Sequence, residues 1–303
     1  MTELTDLQQK ISDFLPGIRK AFMEPMAKHT SLRIGGGAEV MLFPSGETEL
    51  SEILKTSALL DCKPVILGAG TNVLAPDEGI AGIVICLKDG LNTMERVDDL
   101  HIRIAAGVTM ARAAVFAGNC GLSGMEFAHG IPGTVGGGVY MNAGAYGGEI
   151  GSVCCSVRTM GMDGTIREYA REQMEFSYRS SVLQQRDEIV LSALFALQPG
   201  NPEEIQETMR QLQKKRSASQ PLNYPSAGSA FKRPAGGYAA ALIQEAGLKG
   251  FRVGGAAISE KHSGFAINLD NATAADFREL LRQVSERVFE QSGIRLEPEI
   301  RIW

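Results

Sequence analysis

Apolar positions along the chain fall into short runs of two different periods. Val40 to Phe43 reads as a strand, Glu47 to Leu60 as a helix with apolar Leu50, Ile53, Leu54 and Leu60, and Pro64 to Leu67 as a second strand. This βαβ pattern runs directly into Gly68-Ala69-Gly70-Thr71-Asn72, and the strand Ile83 to Leu87 closes an expected first domain, residues 1–90. A second domain, residues 91–200, opens on the strand His101 to Gly107. Thr109 is placed to cap a helix of small residues that ends near Gly121. Val153 to Met162 and Thr165 to Glu168 flank Met162-Asp163-Gly164, a hairpin turn, and Ile189 to Leu197 supplies the last strand.

Asn201-Pro202-Glu203-Glu204 combines a side-chain cap, a proline at the first helical position and acids against the positive helix end. A third domain, residues 201–303, is expected from there. Its final helix, Ala274 to about Gln291, carries Phe277, Leu280, Leu281, Val284, Val288 and Phe289 as one packing face for the strands Ala256 to Ile258 and Phe265 to Leu269. The fold class is α+β with mixed sheets.

A length of 303 residues suits two or three domains, and a hydrophobic fraction of 44% is ordinary for a globular chain. The formal charge of -5 argues against a nucleic-acid surface, which needs clustered Lys and Arg to release counterions. The acidic N-terminus, Met1 to Asp6, has no basic-then-apolar leader. The most apolar later stretch, Ile189 to Leu197, is far below the roughly 18 residues of a membrane span, so no membrane association and a cytoplasmic location are expected. Cys62, Cys86, Cys120, Cys154 and Cys155 read as buried free thiols, and the four histidines show no metal-ligand spacing, so no metal is expected.

Two glycine-rich runs carry the candidate chemistry. Leu67 to Leu74 leaves a buried strand through glycines that admit positive φ and let N–H groups converge on an anion such as a pyrophosphate, although a lone GxG also serves as an ordinary strand-exit turn. In Gly130-Ile131-Pro132-Gly133-Thr134-Val135-Gly136-Gly137-Gly138 the density of glycines is costly inside an ordered domain, and close approach of a flat or phosphorylated ligand to bare backbone accounts for it. Neither run matches the GxGxxG or GxxxxGK[ST] fingerprints, which leaves a non-Rossmann cofactor site.

These residues, with Lys28-His29-Thr30-Ser31-Leu32-Arg33-Ile34-Gly35-Gly36, Tyr140-Met141-Asn142-Ala143-Gly144-Ala145-Tyr146-Gly147-Gly148-Glu149, Tyr178-Arg179-Ser180-Ser181, Tyr224 to Lys232 and Glu297-Pro298-Glu299-Ile300-Arg301, resemble the UDP-N-acetylenolpyruvoylglucosamine reductase family over nearly the whole chain. The resemblance implies a two-subdomain FAD-binding fold of the vanillyl-alcohol-oxidase type, with noncovalent FAD between the first two domains, and a C-terminal α+β domain that covers a UDP-sugar. The uninterrupted passage from Gly200 to Pro225 suits the shorter form of the enzyme. NADPH is the implied hydride donor in peptidoglycan precursor synthesis. Gly68, Ala69, Gly70, Thr71, Asn72, Gly130, Ile131, Pro132, Gly133, Thr134, Gly136, Gly137, Ala143 and Gly144 are implied at the cofactor.

Reduction of an enolpyruvyl ether passes through an enolate-like transition state that needs positive or proton-donating groups at the substrate carboxylate. The resemblance assigns Arg179 as a charged fork for that carboxylate, Ser229 as proton donor to the new stereocentre and Glu299 as a protonated acid. Tyr146, Lys232 and Arg301 are expected substrate contacts, and His262 receives no role. His129 stands before the Gly130 run where a small or neutral residue is expected; a histidine tether to FAD is the alternative to noncovalent binding. A flavin oxidase of the same fold and a non-catalytic sugar-nucleotide binder are the rival readings.

Overall fold

The structure, a computed structural model, describes residues 3–88 and 90–303, so Met1 and Thr2 of the N-terminal stretch lie outside it. Helices begin where their caps predict. The Thr109 hydroxyl accepts from the Arg112 N–H at 3.3 Å at the head of Met110–Asn119, and the Asn201 side chain accepts from the Glu203 N–H at 2.8 Å at the head of Pro202–Ser219. Ala274–Ser292 starts at a reciprocal cap between Thr273 and Asp276 and ends on Gly293 at φ 72°. The helix Asp6–Phe14, with its Thr5–Gln8 cap, and the strand Arg19–Pro25 add to the pattern read from the sequence.

The chain divides into two compact units built from interleaved segments: residues 1–22, 40–69 and 82–215 form one, and residues 23–39, 70–81 and 216–303 the other. Most of the first sheet belongs to the first unit, in the order Arg19–Pro25, Gly37–Phe43, Ile80–Cys86, Val65–Leu67. Val65–Leu67 runs parallel to Ile80–Cys86, with Leu67 opposite Cys86; the helix Glu47–Leu59 comes before this pair and does not connect it. The helix Glu47–Leu59 buries Leu50, Ile53 and Leu54. A five-stranded sheet follows, in the order Ile166–Ala170, Cys154–Gly161, Glu188–Ala196, His101–Ala105, Met94–Arg96, with neighbouring strands antiparallel. Gly118 lets the helix Met110–Asn119 lie close to Ile205 and Met209, which are buried with this unit's core.

In the second unit the strands Ser226–Ser229, Phe265–Asn268, Ala256–Ile258 and Arg252–Val253 form an antiparallel sheet in that order. Phe277, Leu280, Leu281, Val284 and Val288 pack into one core with Ala256, Ile258 and Ala266. Phe289 departs from the expected face: it is 42% exposed and lies under the Arg295 guanidinium, 4.7 Å from its ring centroid. At 3.6 residues per turn it sits about 120° round the helix from Phe277, whereas Val288 returns to within about 20°. Val73–Leu74 pairs in parallel with Arg301–Ile302, so the last residues of the chain lie against the exit of the first glycine run.

Among the described residues no helix is long and apolar enough to cross a membrane, and no group of His, Cys, Asp and Glu could hold a metal. The five cysteines are free; Cys86 and Cys154 are buried, while Cys62, Cys120 and Cys155 are only partly so. Burial pushes the Cys154 thiol up to about 12, which keeps it protonated and inert.

Candidate active site

In the first unit the second glycine run is a short helix with an irregular approach. After a 3-10 turn over Glu126–Gly130 the chain passes Gly133, at φ 133°, and enters the helix Val135–Tyr140 capped by Thr134. Hydrogen bonds from Val135 N–H to Val108 C=O at 2.8 Å and from Gly136 N–H to Ala106 C=O at 2.9 Å hold it against the preceding strand exit. The glycines then separate into two kinds. A Cβ on Gly136 would lie 2.9 Å from the Ala106 methyl, and one on Gly138 2.8 Å from the Met110 sulfur, so internal packing opposes a side chain at both, more firmly at Gly136, where backbone of Ala106 also lies close. Gly137 is exposed, with only the Thr134 hydroxyl 3.7 Å away, and it alone of the three leaves room for a ligand. Glycine at 136 and 138 thus has a packing explanation beside the ligand explanation drawn from glycine density.

Gly68 and Ala69 end the first run's share of this unit. A Cβ on Gly68 would stand 2.7 Å from the Thr134 hydroxyl, so the two glycine runs meet there. The Nδ1 atom of His129, at the edge of the Gly130 run, is buried and has no hydrogen-bond partner. Bare backbone at Gly137, with an unpaired imidazole nitrogen at the head of the same run, fits a flat cofactor with anionic groups.

Arg179 occupies a two-residue turn. Ser177 and Ser180 exchange backbone hydrogen bonds at 3.1 Å across Tyr178-Arg179, and Arg179 takes φ 54°. Its guanidinium donates to the Gly144 carbonyl at 3.3 Å and lies 5.3 Å from the Tyr178 ring centroid. Gly144 and Ala145 pair with Gly148 and Glu149 in a hairpin whose tip is Tyr146-Gly147, at φ 54° and 88°. This is the geometry of a type I′ turn, and it leaves Tyr146 46% exposed. Ala143, Gly144, Tyr146 and Arg179 are thus brought together, as are Gly68 and Thr134.

Asn142 is the residue that the motif reading left without a role. It is 1% exposed, accepts from the Gly151 N–H at 2.8 Å and donates to the Ser177 carbonyl at 2.9 Å, so it ties the hairpin to the Arg179 turn. Asn142→Ala strands the buried Gly151 N–H and puts alanine at φ 43°. A loss of about 1–3 kcal/mol from the unsatisfied donor alone is expected in urea unfolding.

The second unit holds Gly70, Thr71 and Asn72 together with Ser229, Lys232, Glu299 and Arg301. Asn72 donates its side-chain amide to the Glu299 carbonyl at 3.2 Å, and its own carbonyl accepts from the Arg301 N–H at 3.0 Å. The Glu299 N–H donates to the Ala230 carbonyl at 3.0 Å, which sets Glu299 beside the strand ending in Ser229. Glu299 lies just before the final strand, which comprises Arg301–Ile302. Lys232 forms an ion pair with Glu297, a partner that its motif did not suggest because 65 residues separate the two. His262 accepts from the Gly264 N–H at 3.1 Å, and burial holds its imidazole below the usual histidine range. That is a structural role in the turn before Phe265.

A sequence profile of the C-terminal domain of UDP-N-acetylenolpyruvoylglucosamine reductase matches residues 220–303, and one of an FAD-binding domain matches residues 38–170. The chain is 43% identical over 296 residues to the UDP-N-acetylenolpyruvoylglucosamine reductase of Streptococcus pneumoniae strain 70585, covering 98% of each chain. The relative from strain ATCC BAA-255 / R6 is also 43% identical, with 93% of its length covered. Among solved structures, the UDP-N-acetylenolpyruvylglucosamine reductase of Thermus caldophilus matches with a TM-score of 0.80 at 35% identity, covering 94% of this chain and 98% of that one. These matches bear out the expected α+β fold, an FAD-binding domain followed by a reductase C-terminal domain. The chain belongs to the UDP-N-acetylenolpyruvoylglucosamine reductase family and is an FAD-dependent oxidoreductase of peptidoglycan synthesis.

Proposed function

We propose that this protein reduces UDP-N-acetylglucosamine enolpyruvate to UDP-N-acetylmuramate in the cytoplasm, with NADPH as hydride donor and FAD held noncovalently. Residues 1–90 and 91–200 are read as the cofactor-binding parts and residues 201–303 as the substrate-binding part. The observation that carries the reading is the tie of Glu299 to Ala230 and of Asn72 to Glu299, which gathers the proposed acid, the proton donor's strand and the cofactor motif in one place.

When bound, FAD supplies the hydride that the substrate's methylene carbon receives. Gly68, Ala69, Gly70, Thr71, Asn72, Gly130, Ile131, Pro132, Gly133, Thr134, Gly137, Ala143 and Gly144 would hold it, chiefly through backbone. Gly136 contributes by allowing the helix to pack. Arg179 pairs with the substrate carboxylate, so charge arriving on the adjacent carbon drains onto an oxygen that already has a permanent cation. Glu299, neutral when that carboxylate is beside it, donates a hydrogen bond rather than repelling. Ser229 Oγ gives its proton to the carbon bearing the ether oxygen, and solvent restores the hydroxyl; hydride plus proton completes the two-electron reduction. Tyr146, Lys232 and Arg301 orient the carboxylate and diphosphate, with Glu297 holding Lys232 in place until an anion competes for it.

An anaerobic titration tests this. Purified yellow protein bleached with NADPH should regain its oxidised spectrum on addition of the enolpyruvyl UDP-sugar. A spectrum that recovers with oxygen but not with that sugar would instead identify an oxidase. Acid precipitation should leave the yellow colour in the supernatant; colour in the pellet would show a covalent link and reject noncovalent binding.

A further inference from the structure

We propose that Ser31 is a positioning residue for Ser229, an inference that rests on the proton-donor reading of Ser229. Ser31 lies in the Lys28–Gly36 motif, to which no role has so far been attached. Its hydroxyl donates to the Ser226 carbonyl at 2.7 Å, across 195 residues of sequence. Its N–H donates to the Gly70 carbonyl at 3.0 Å. A serine hydroxyl has one proton, and the shorter, better bond to Ser226 takes it; the 3.4 Å approach of the same hydroxyl to Gly70 is the weaker alternative. One side chain and its own backbone therefore join the strand of the proton donor to the cofactor motif.

What this joint controls is the aim of Ser229. Ser226 stands opposite Ile267 and Ser229 opposite Phe265, so three steps on one strand span two on the other, a β-bulge. Gly228 takes φ 80° within it, and its Cβ position has no heavy atom within 4 Å. Nothing packs on that point of the bulge, and the direction in which Ser229 leaves it is set by the anchors at its two ends. Beyond the bulge, Ala230 donates to Gly264 at 2.8 Å and accepts from Glu299. Before it, Asn268 N–H holds the Pro225 carbonyl to the sheet at 2.9 Å, and Ser31 holds the Ser226 carbonyl to the Gly70 segment. Bulges beside reaction centres re-aim side chains in this way.

The test uses the FAD-loaded enzyme, with Ser31→Ala, Ser31→Thr, Ser229→Ala and the Ser31→Ala/Ser229→Ala double variant in anaerobic stopped flow. Ser31→Ala should slow reoxidation by the enolpyruvyl UDP-sugar about 5- to 50-fold, the scale of a misplaced reacting group, and change reduction by NADPH less than about twofold. Ser31→Thr should restore the rate, and in the Ser229→Ala background Ser31→Ala should add less than about twofold. Amide exchange in residues 227–230 should be faster in Ser31→Ala than in wild type or Ser31→Thr, with the helix Ala274–Ser292 unchanged. Equal slowing of both half-reactions, a full additional loss on top of Ser229→Ala, or unaltered exchange at residues 227–230 would overturn the proposal. If Ser229→Ala itself reoxidises normally, the proton-donor reading fails; if it does not and Ser31→Ala is silent, only the positioning role fails.

Discussion

Ser229→Ala is expected to be reduced by NADPH at close to the wild-type rate while its reoxidation by the enolpyruvyl UDP-sugar falls about 10²- to 10⁴-fold, the range of a positioned general acid. The split follows from what the residue is proposed to do. Its proton is needed only in the half-reaction with the sugar, as charge builds on the substrate carbon, so removing it leaves reduction of the flavin by NADPH untouched. Serine is a weak acid, but an enolate is a strong base, and a hydroxyl held in place can deliver a proton to it. The strand ending at Ser229 is tied to Glu299 by the Glu299–Ala230 hydrogen bond, which leaves the alanine variant's backbone intact. Rapid-mixing absorbance of each half-reaction decides the matter: equal loss in both would reject the role and point to disturbed binding.

Gly70→Ala is expected to cost about 2–5 kcal/mol of stability in denaturant unfolding and to strip the protein of yellow colour on gel filtration. Gly70 takes φ 61°, a conformation that penalises any side chain on an L-residue. A Cβ there would also overlap the His29 carbonyl oxygen and press on the Thr30 backbone. Backbone cannot turn aside as a side chain can, so the Gly70–Asn72 segment must move, and Asn72 with it. Gly68→Ala offers the contrast, because its obstacle is the Thr134 hydroxyl, the end of a side chain. It should unfold less readily than Gly70→Ala and retain more flavin. A Gly70→Ala protein as stable and as yellow as wild type would show that the first glycine run does not need its left-handed turn.

Neighbouring residues interact through rules that sequence displays directly, and the elements built on those rules were legible. Thr109 and Asn201 cap helices because a side-chain oxygen reaches N–H groups only two or three residues on. Phe277, Leu280, Leu281, Val284 and Val288 form a buried face because their spacing repeats the helical period, and Phe289 was misread by giving that face one position too many. The glycine runs were legible as special, but not why: density alone cannot separate Gly136 and Gly138, squeezed by Ala106 and Met110, from Gly137, which is open. Asn142 was visible within its motif, yet its two partners, Ser177 and Gly151, carry no mark of the pairing.

By itself, then, the sequence determined the α+β class, the helix starts, the family through its spaced motifs, and the residue types available for chemistry. Tertiary structure alone decided that the chain weaves two units from interleaved segments, that Asn72 meets Glu299 across 227 residues, and that Lys232 rests on Glu297. The reason is the range of the forces. Capping and periodicity act within one or two helical turns and leave a local signature, whereas a hydrogen bond across hundreds of residues forms only after packing brings its partners within about 3 Å.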